Sequence, residues 1–525
     1  MWLRIPAHYY LRITALVILT VGVSLHNTLM SIGAIWLIAN YLLEARFKFY
    51  WKNFKNTPSL WMLVGILLLS VLSLLWSTDT AYGLKDLSRK LPFFVIPLVI
   101  GTAKPIDKKV GYFLLYVFIG ITVLTSAINY YRYNFVLESL SDIREMSYFI
   151  SHVRFSTLTA LGVFVSVFLF VEKKGYRWLW LLFGFWLFFY TLTSQILNGY
   201  VLLFLLLLVS VVYVIWKIKH RPVRFSLMLL ILLGFGTVIA LIDREVGTYK
   251  RKIEVSLDSL ETHTVNNRHY LHDLDENARE NGNLVWIYVQ PDELRKEWNR
   301  RSEIDYHGLD HRGQPMFGTL MRYMTSKGLR KDSLGVWSLT EKEIHRIENG
   351  VTSIALNRGP KSKLREFIFQ WEMYRSNGDP DGHSLLQRAE HLRVAVWILS
   401  QKWLTGVGIG DVPSAFKTAY REMDSKLDAE NHHRSHNQFL TIWISHGLIG
   451  LILFLGMLVI PMFRKKINYF TLIVFCTLTV SCVFQDFLET QAGVTIFGLF
   501  YVLAFYSELS PSCNSSSNSS EEGEV

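Results

Sequence analysis

The residues best suited to chemistry lie in Arg434-Ser435-His436-Asn437-Gln438-Phe439-Leu440, where a long polar region gives way to a renewed apolar run. A histidine titrates at about 6.5 when unperturbed, so its neutral imidazole can take a proton from an attacking hydroxyl. That makes His436 a candidate general base. Arginines suit the opposite task, holding a diphosphate as it leaves. Arg388 and Arg393 stand upstream in the stretch Gln387–Trp397, ahead of Gly406-Val407-Gly408-Ile409-Gly410. Arg154 stands in His152-Val153-Arg154-Phe155-Ser156, at the end of an apolar run. Each residue also has a plain structural reading. His436, with His432, His433 and His446, would cap a helix or sit in solvent; Arg388 would be a solvated charge on an amphipathic helix; Arg154 would snorkel to lipid phosphate. The glycine trio follows a helix with no strand before it, which argues against a nucleotide loop and for a tight turn.

The elements that must position these residues follow from composition. The chain has 525 residues, 51% hydrophobic, 14% aromatic and 18% charged. It reads as an all-α polytopic membrane protein with one sizeable polar region. Its formal charge of +11 falls in short clusters between apolar runs and across one long loop, without a nucleic-acid-binding motif, so nucleic acid is excluded as a partner. The three cysteines, Cys476, Cys482 and Cys513, form no CxxC pair and no disulfide framework. The first apolar run lacks an A-x-A-like cleavage site and reads as a retained span.

A helical span needs roughly 20 mostly apolar residues. About twelve such runs centre near residues 18, 36, 68, 96, 119, 163, 185, 206, 233, 452, 474 and 499. Loops carrying Arg46, Lys48, Lys52 and Lys55; Lys104, Lys108 and Lys109; Lys173, Lys174 and Arg177; Lys217, Lys219, Arg221 and Arg224; and Arg464, Lys465 and Lys466 are all basic. The alternate set has Lys85, Arg89 and Lys90 in one loop and Arg132, Arg144 and Arg154 in another, but no lysine or arginine near residues 26–28, 193–195 or 485–490, which puts the basic set and both termini in the cytoplasm. The expected plan is a membrane domain over 1–242 with helices 1–9, a large helical extracytoplasmic loop domain over 243–436 between helices 9 and 10, helices 10–12 over 437–508, and a low-complexity, disordered tail over 509–525.

Within the loop domain, Thr340-Glu341-Lys342-Glu343 reads as a capping box opening a helix that stops at Asn349-Gly350. Ser362–Tyr374 reads as a second amphipathic helix. A third runs from Ser384 to about Leu404, with Leu385, Leu392, Val396 and Leu399 on one face that could lie along the bilayer. No HExxH or DxD spacing is present, and His272-Asp273-Leu274-Asp275 reads as a solvated turn, so no metal and no cofactor are expected.

The His436-Asn437 motif, the Arg-led helix from Gln387 and the Gly-x-Gly turn together resemble the signature of the O-antigen ligase and polymerase superfamily of bacterial membrane glycosyltransferases. The family pattern sets its arginine eighteen residues before the first glycine, which falls on Arg388, and a cationic residue at Arg393. Arg154-Phe155-Ser156 resembles an element of bacteroidal-type members. The chain departs from the pattern at Thr193-Ser194-Gln195-Ile196-Leu197-Asn198-Gly199, where members carry Ser-Arg-x-Gly; Leu197 occupies the arginine position, so either Arg154, Arg388 and Gln195 share the diphosphate or the donor is handled differently from the better-known ligases.

What the resemblance implies is metal-independent transfer of a glycan from undecaprenyl diphosphate to an acceptor at the outer face of the inner membrane, with the large loop periplasmic. Lipid A core, another lipid-linked glycan or a protein would be the acceptor, corresponding to ligase, polymerase or O-oligosaccharyltransferase. The implied roles are His436 as base, Arg154, Arg388 and Arg393 on the diphosphate, and Asn437, Gly406 and Gly408 in support, with Gln195 as a candidate to share the diphosphate; beside the resemblance, Glu489 in the last outer loop is a candidate to orient His436 or the acceptor. Two rivals come from other classes. A transporter or flippase would need ionisable groups buried at mid-membrane, which the apolar runs almost entirely lack, and a sensor would need a cytoplasmic output module.

Overall fold

The computed structural model describes residues 4–137, 143–172, 175–250, 260–274, 278–311, 313–354, 367–368, 371, 374–375, 380, 384–464 and 467–509. Most of the helix expected over 362–374, the tail beyond 509, and Lys173, Lys174, Asp275, Lys465 and Lys466 lie outside them. The chain divides into one unit of Met1–Arg224 with Pro380–Val525, and a second of Phe225–Asp379.

In the first unit the helices are α1 (Arg4–Leu25), α2 (Asn27–Glu44), α3 (Phe47–Lys55), α4 (Pro58–Ser73), α5 (Thr80–Thr102), α6 (Lys108–Phe135), α7 (His152–Glu172), α8 (Arg177–Thr193) and α9 (Leu197–Lys217). Helix α10 (Arg221–Lys250) leads into the second unit. That unit holds a short hairpin of β1 (Arg279–Glu280) and β2 (Asn283–Leu284), followed by α11 (Pro291–Arg301), α12 (Met316–Ser326), α13 (Ser333–Trp337) and α14 (Glu341–Glu348). The chain then returns to the first unit through α15 (Ser384–Lys402), α16 (Val412–Glu422), α17 (Gln438–Arg464), α18 (Tyr469–Phe484) and α19 (Gln491–Phe505).

Every apolar run in the sequence falls on a helix. Among the described residues six helices are long and apolar enough to cross a membrane, or seven if α2 and α3, bent by 110°, form one broken span; α4, α18 and α19 are shorter apolar helices. The molecule is thus an all-α polytopic membrane protein. Helix α5 departs from a plain span, because its first half carries Lys85, Asp86, Arg89 and Lys90 and its second half Pro92 and Pro97. Asp86 is 3% exposed, so ionisable groups are buried here after all, each with a partner described below.

Lipid tails are as apolar as leucine, so close backbone approach and buried hydrogen bonds hold such helices together. Gly33 sits against Leu19, Gly65 against Leu453 and Gly184 against Ser166. Ser24 meets Thr122 at 3.1 Å, Thr191 donates to Thr159 at 2.9 Å, and the Tyr501 hydroxyl donates to the Met457 carbonyl at 2.7 Å. Helix α19 is buried at every position from Ala492 to Phe505 and forms the centre of the bundle against α1, α2, α5 and α18.

The second unit has its own core, in which Leu294 and Trp298 of α11 pack with Leu320 and Met324 of α12, Val336 of α13, and Ile344 and Ile347 of α14. The capping box is formed as the sequence predicts: Thr340 caps α14, Glu343 returns a bond to the Thr340 amide, and the helix ends at Asn349 before Gly350 with φ +72°.

Candidate functional site

Helix α17 breaks at Gly447 (φ 68°, ψ −170°), and the turn after α15 docks on the break. The amides of Val407 and Gly408 donate to the carbonyls of Ile444 and Ser445 at 2.8 and 3.1 Å, and the Leu448 amide donates to Trp403 at 3.0 Å. Backbone carbonyls freed by the kink are thereby satisfied, as a bilayer requires. The crossing leaves no room for side chains. A Cβ on Gly406 would stand 2.6 Å from the Gly447 nitrogen, a Cβ on Gly447 would run into the Leu404 carbonyl, and one on Gly408 into Ser77. All three glycines have positive φ. The glycine turn therefore fixes α15 to α17, and with it the spatial relation of Arg388 to His436.

His436 occupies the residue between two capping groups. The Asn437 carboxamide accepts from the Leu440 amide at 3.1 Å and starts α17, while the Ser435 hydroxyl accepts from the Asn437 amide at 3.2 Å. His436 itself is left-handed, with φ +50°, a conformation that costs an L-residue about 1–2 kcal/mol. Asp486 holds it there by accepting its amide at 3.0 Å. The same carboxylate accepts from the Thr441 hydroxyl and lies 3.9 Å from His436 Nδ1, beyond hydrogen-bond reach. The ring keeps 38% of its side-chain surface open. Burial, together with His391, Arg388, His433 and Arg154, pushes its pKa down to about 4, so the imidazole is neutral across the physiological range.

Arg154, at the first turn of α7, is 9% exposed and donates to Gln485 Oε1 at 2.6 Å, the Asp486 carbonyl at 3.1 Å and Thr490 at 3.3 Å. The snorkelling reading does not hold for it, since this guanidinium braces the last interhelical loop from within. Glu489 does not touch His436. It pairs with Lys90 at 2.8 Å and with Arg434, and Gln438 donates to it at 3.3 Å. Burial alone would raise its pKa, but Lys90 and Arg434 hold it below the ordinary carboxylate range. Lys90 also meets Asp86 at 2.7 Å, and Arg434 reaches the Tyr82 hydroxyl, so helix α5 joins the group. Arg388 is half-buried, its pKa lowered by burial, and among the described residues it has no carboxylate partner.

The structure thus brings His436, Asn437, Arg388, Arg154 and Glu489 to one end of the first unit. It does not bring Arg393 there: that side chain is 58% exposed and pairs with Glu390 at 3.3 Å. Gln195 is exposed in the turn before α9, with φ +53°. Next to it Asn198 donates to Thr157 at 3.0 Å, tying the start of α9 to the turn that carries Arg154. His446 is neither a cap nor solvated; it is buried between Ser70 and Ser445 at 2.8 and 2.7 Å.

Sequence reasoning missed three participants. Arg434 opens the motif and Asp486 stands three residues before Glu489, but nothing in their spacing marked their partners. His391 was also overlooked. It is 2% exposed, 5.1 Å from the His436 ring between centroids, and its Nε2–H donates to the Asn431 carbonyl at 3.1 Å. Its Nδ1 is therefore a lone pair, buried without a partner among the described residues. Its position one helical turn after Arg388 was the available signal.

Around the glycine turn lies a cavity of about 930 Å³ whose lining includes Trp76, Trp397, Gln401, Lys402, Asp411 and His446, but not His436, Arg388 or Arg154. Among the described residues no cluster of three or more histidine, cysteine or acidic side chains has metal-binding geometry.

A multi-helix membrane bundle whose helices gather a neutral histidine and several arginines at one end defines the class: a membrane protein with a polar site at its surface. Residues 334–455 match a family model described as O-antigen ligase, so this segment of the chain is similar to that family. Arg388, Arg393, Gly406, Gly408, His436 and Asn437 lie inside the matched segment, whereas Arg154, Gln195 and Glu489 lie outside it. No curated protein matches the chain.

Proposed function

We propose that the protein transfers a glycan from undecaprenyl diphosphate to a hydroxyl acceptor, lipid A core in the first instance, at the periplasmic face of the bacterial inner membrane. The observation that carries this reading is the partly open, neutral ring of His436, held by Asp486 and grouped electrostatically with Arg388 and Arg154. The acceptor oxygen attacks the anomeric carbon, and the bond from that carbon to the diphosphate oxygen breaks. The hydroxyl proton passes to His436, and the departing diphosphate gains its charge beside Arg388 and Arg154. Within this group Arg434 and Lys90 pair with Glu489, and Lys90 with Asp86, whereas Arg388 has no carboxylate partner among the described residues and is left for an anionic donor. These cations supply the neutralisation, so the proposed transfer is metal-independent. Trp76 and Trp397 offer stacking faces for sugar rings in the cavity at the glycine turn.

The test is the surface glycan profile of cells lacking the protein, complemented with the natural chain or with His436→Ala. Loss of polymer-length glycan from its acceptor, accumulation of lipid-linked donor and rescue by the natural chain alone are expected. Persistence of single repeats on the acceptor would identify a polymerase. Unchanged transfer by well-expressed His436→Ala would remove His436 from the reaction, and an untouched profile in every strain would favour a transporter.

A further inference from the structure

In the second unit, residues 262–270 form a tight hairpin with a histidine on each arm. The Tyr270 amide donates to the Thr262 carbonyl at 2.9 Å and the Thr264 amide to the Arg268 carbonyl at 2.7 Å, with Asn267 at φ +60° in the turn. Between these bonds His263 and His269 form an antiparallel bridge. They are the non-hydrogen-bonded pair, in which side chains on one face come closest. The turn is anchored, because the Thr264 hydroxyl accepts from the Asn266 and Arg268 amides at 3.2 Å each and donates to Glu293 at 2.8 Å. Both imidazoles are exposed, their centroids 3.9 Å apart, and the two Nε2 atoms converge to 3.1 Å.

That separation is the bite of a metal chelate. Imidazole nitrogens bind Zn²⁺ at about 2.0–2.1 Å, and two such bonds at an angle between square and tetrahedral set their nitrogens about 3 Å apart. His263 is already oriented for the task. Its Nδ1 lies 2.9 Å from the Thr262 hydroxyl, a partner that can accept an Nδ1 proton and so free Nε2 to bind, the outer-shell arrangement that metal-bound histidines use.

We propose that His263 and His269 form a bidentate site for a divalent transition-metal ion of the zinc class, with water completing the coordination. In the metal-free hairpin His269 Nε2–H donates to His263 Nε2. On binding, that proton moves through solvent to His269 Nδ1, both Nε2 lone pairs bond the cation, and no net proton is released from the neutral pair. The ion then ties the two arms together. The proposal rests on the hairpin alone and does not depend on the transfer reaction.

The experiment is Zn²⁺ titration of the full purified chain in detergent, comparing the natural protein with His263→Ala, His269→Ala, the double variant, and His307→Ala as a control in the same unit. The natural chain and the control are expected to bind one equivalent that all three hairpin variants lose. Zn²⁺ should also slow hydrogen exchange across 261–270 in the natural chain only. An isotherm of the double variant that superimposes on that of the natural chain, or exchange in the hairpin unaffected by Zn²⁺, overturns the site and leaves a hydrogen-bonded imidazole pair.

Discussion

At the scale of single residues, His436 is defined by what surrounds it more than by its type. Its pKa is lowered to about 4, so acidification does not protonate it until well below the ordinary histidine range. Transfer should therefore hold its rate from pH 7 down to about 5.5, where an unperturbed histidine would already be mostly cationic. A pH profile of initial rates, with its acid limb centred at 6.5, would count against this. Replacing His436 by alanine should cost about 10²–10⁴-fold in rate. Folding stability follows the same lowered values. His391, also pushed down to about 4, stays neutral in the folded chain while the unfolded chain binds a proton below about 6.5. Stability should fall as pH drops from 6.5 towards 4, and the thermal midpoint of His391→Asn should fall less steeply over that window. The motif was legible because His436, Asn437, Gly406 and Gly408 are near one another in sequence. Asp486 was not, since it lies 50 residues from His436 and meets it only after α17 and α18 have crossed the bundle and returned.

At the scale of elements, two contacts hold the site together. The first is the crossing of the glycine turn over the break in α17. Gly447→Ala would place a methyl group on the Leu404 carbonyl in a left-handed conformation, and loss of folded protein is expected, read as detergent-solubilised yield and melting. The second is Glu489 between Lys90 and Arg434. Glu489→Gln leaves two buried cations short of a carboxylate, a change that costs about 3–5 kcal/mol when one partner of a buried pair is removed. A double change with Lys90→Met should recover part of the lost stability. Local patterns in the second unit were readable: the capping box at Thr340 and Glu343 needs only three residues of spacing. The charged half of α5 was harder, because Asp86 and Lys90 look like loop residues until Glu489 is seen opposite them. Arg393 shows what pattern alone leaves out, since a position suited to a cation is largely exposed and pairs with Glu390.

At the scale of the whole molecule, each apolar run read from hydropathy falls on a described helix, and six or seven of these helices are long and apolar enough to cross a membrane, where each span must satisfy its own backbone. Hydropathy could not say how the helices pack, which depends on glycine contacts and hydroxyl pairs between distant runs. The basic loops set an expected orientation that labelling can check. A single cysteine placed at His26 should react with an impermeant thiol reagent in intact inner-membrane spheroplasts, and one at Lys219 only after permeabilisation; the opposite pattern would invert the topology. The position of α19 carries a consequence for biogenesis. It is synthesised after every other described helix, yet it occupies the axis around which they gather. Until residues 491–505 leave the ribosome, α5 lacks its main helix partner, and α1 and α2, packed on each other through Gly33 and Leu19, lack the helix that joins them to the rest of the centre. Assembly is therefore post-translational, and a nascent chain stalled before Gln491 should remain open to membrane proteases that cannot cut the finished bundle.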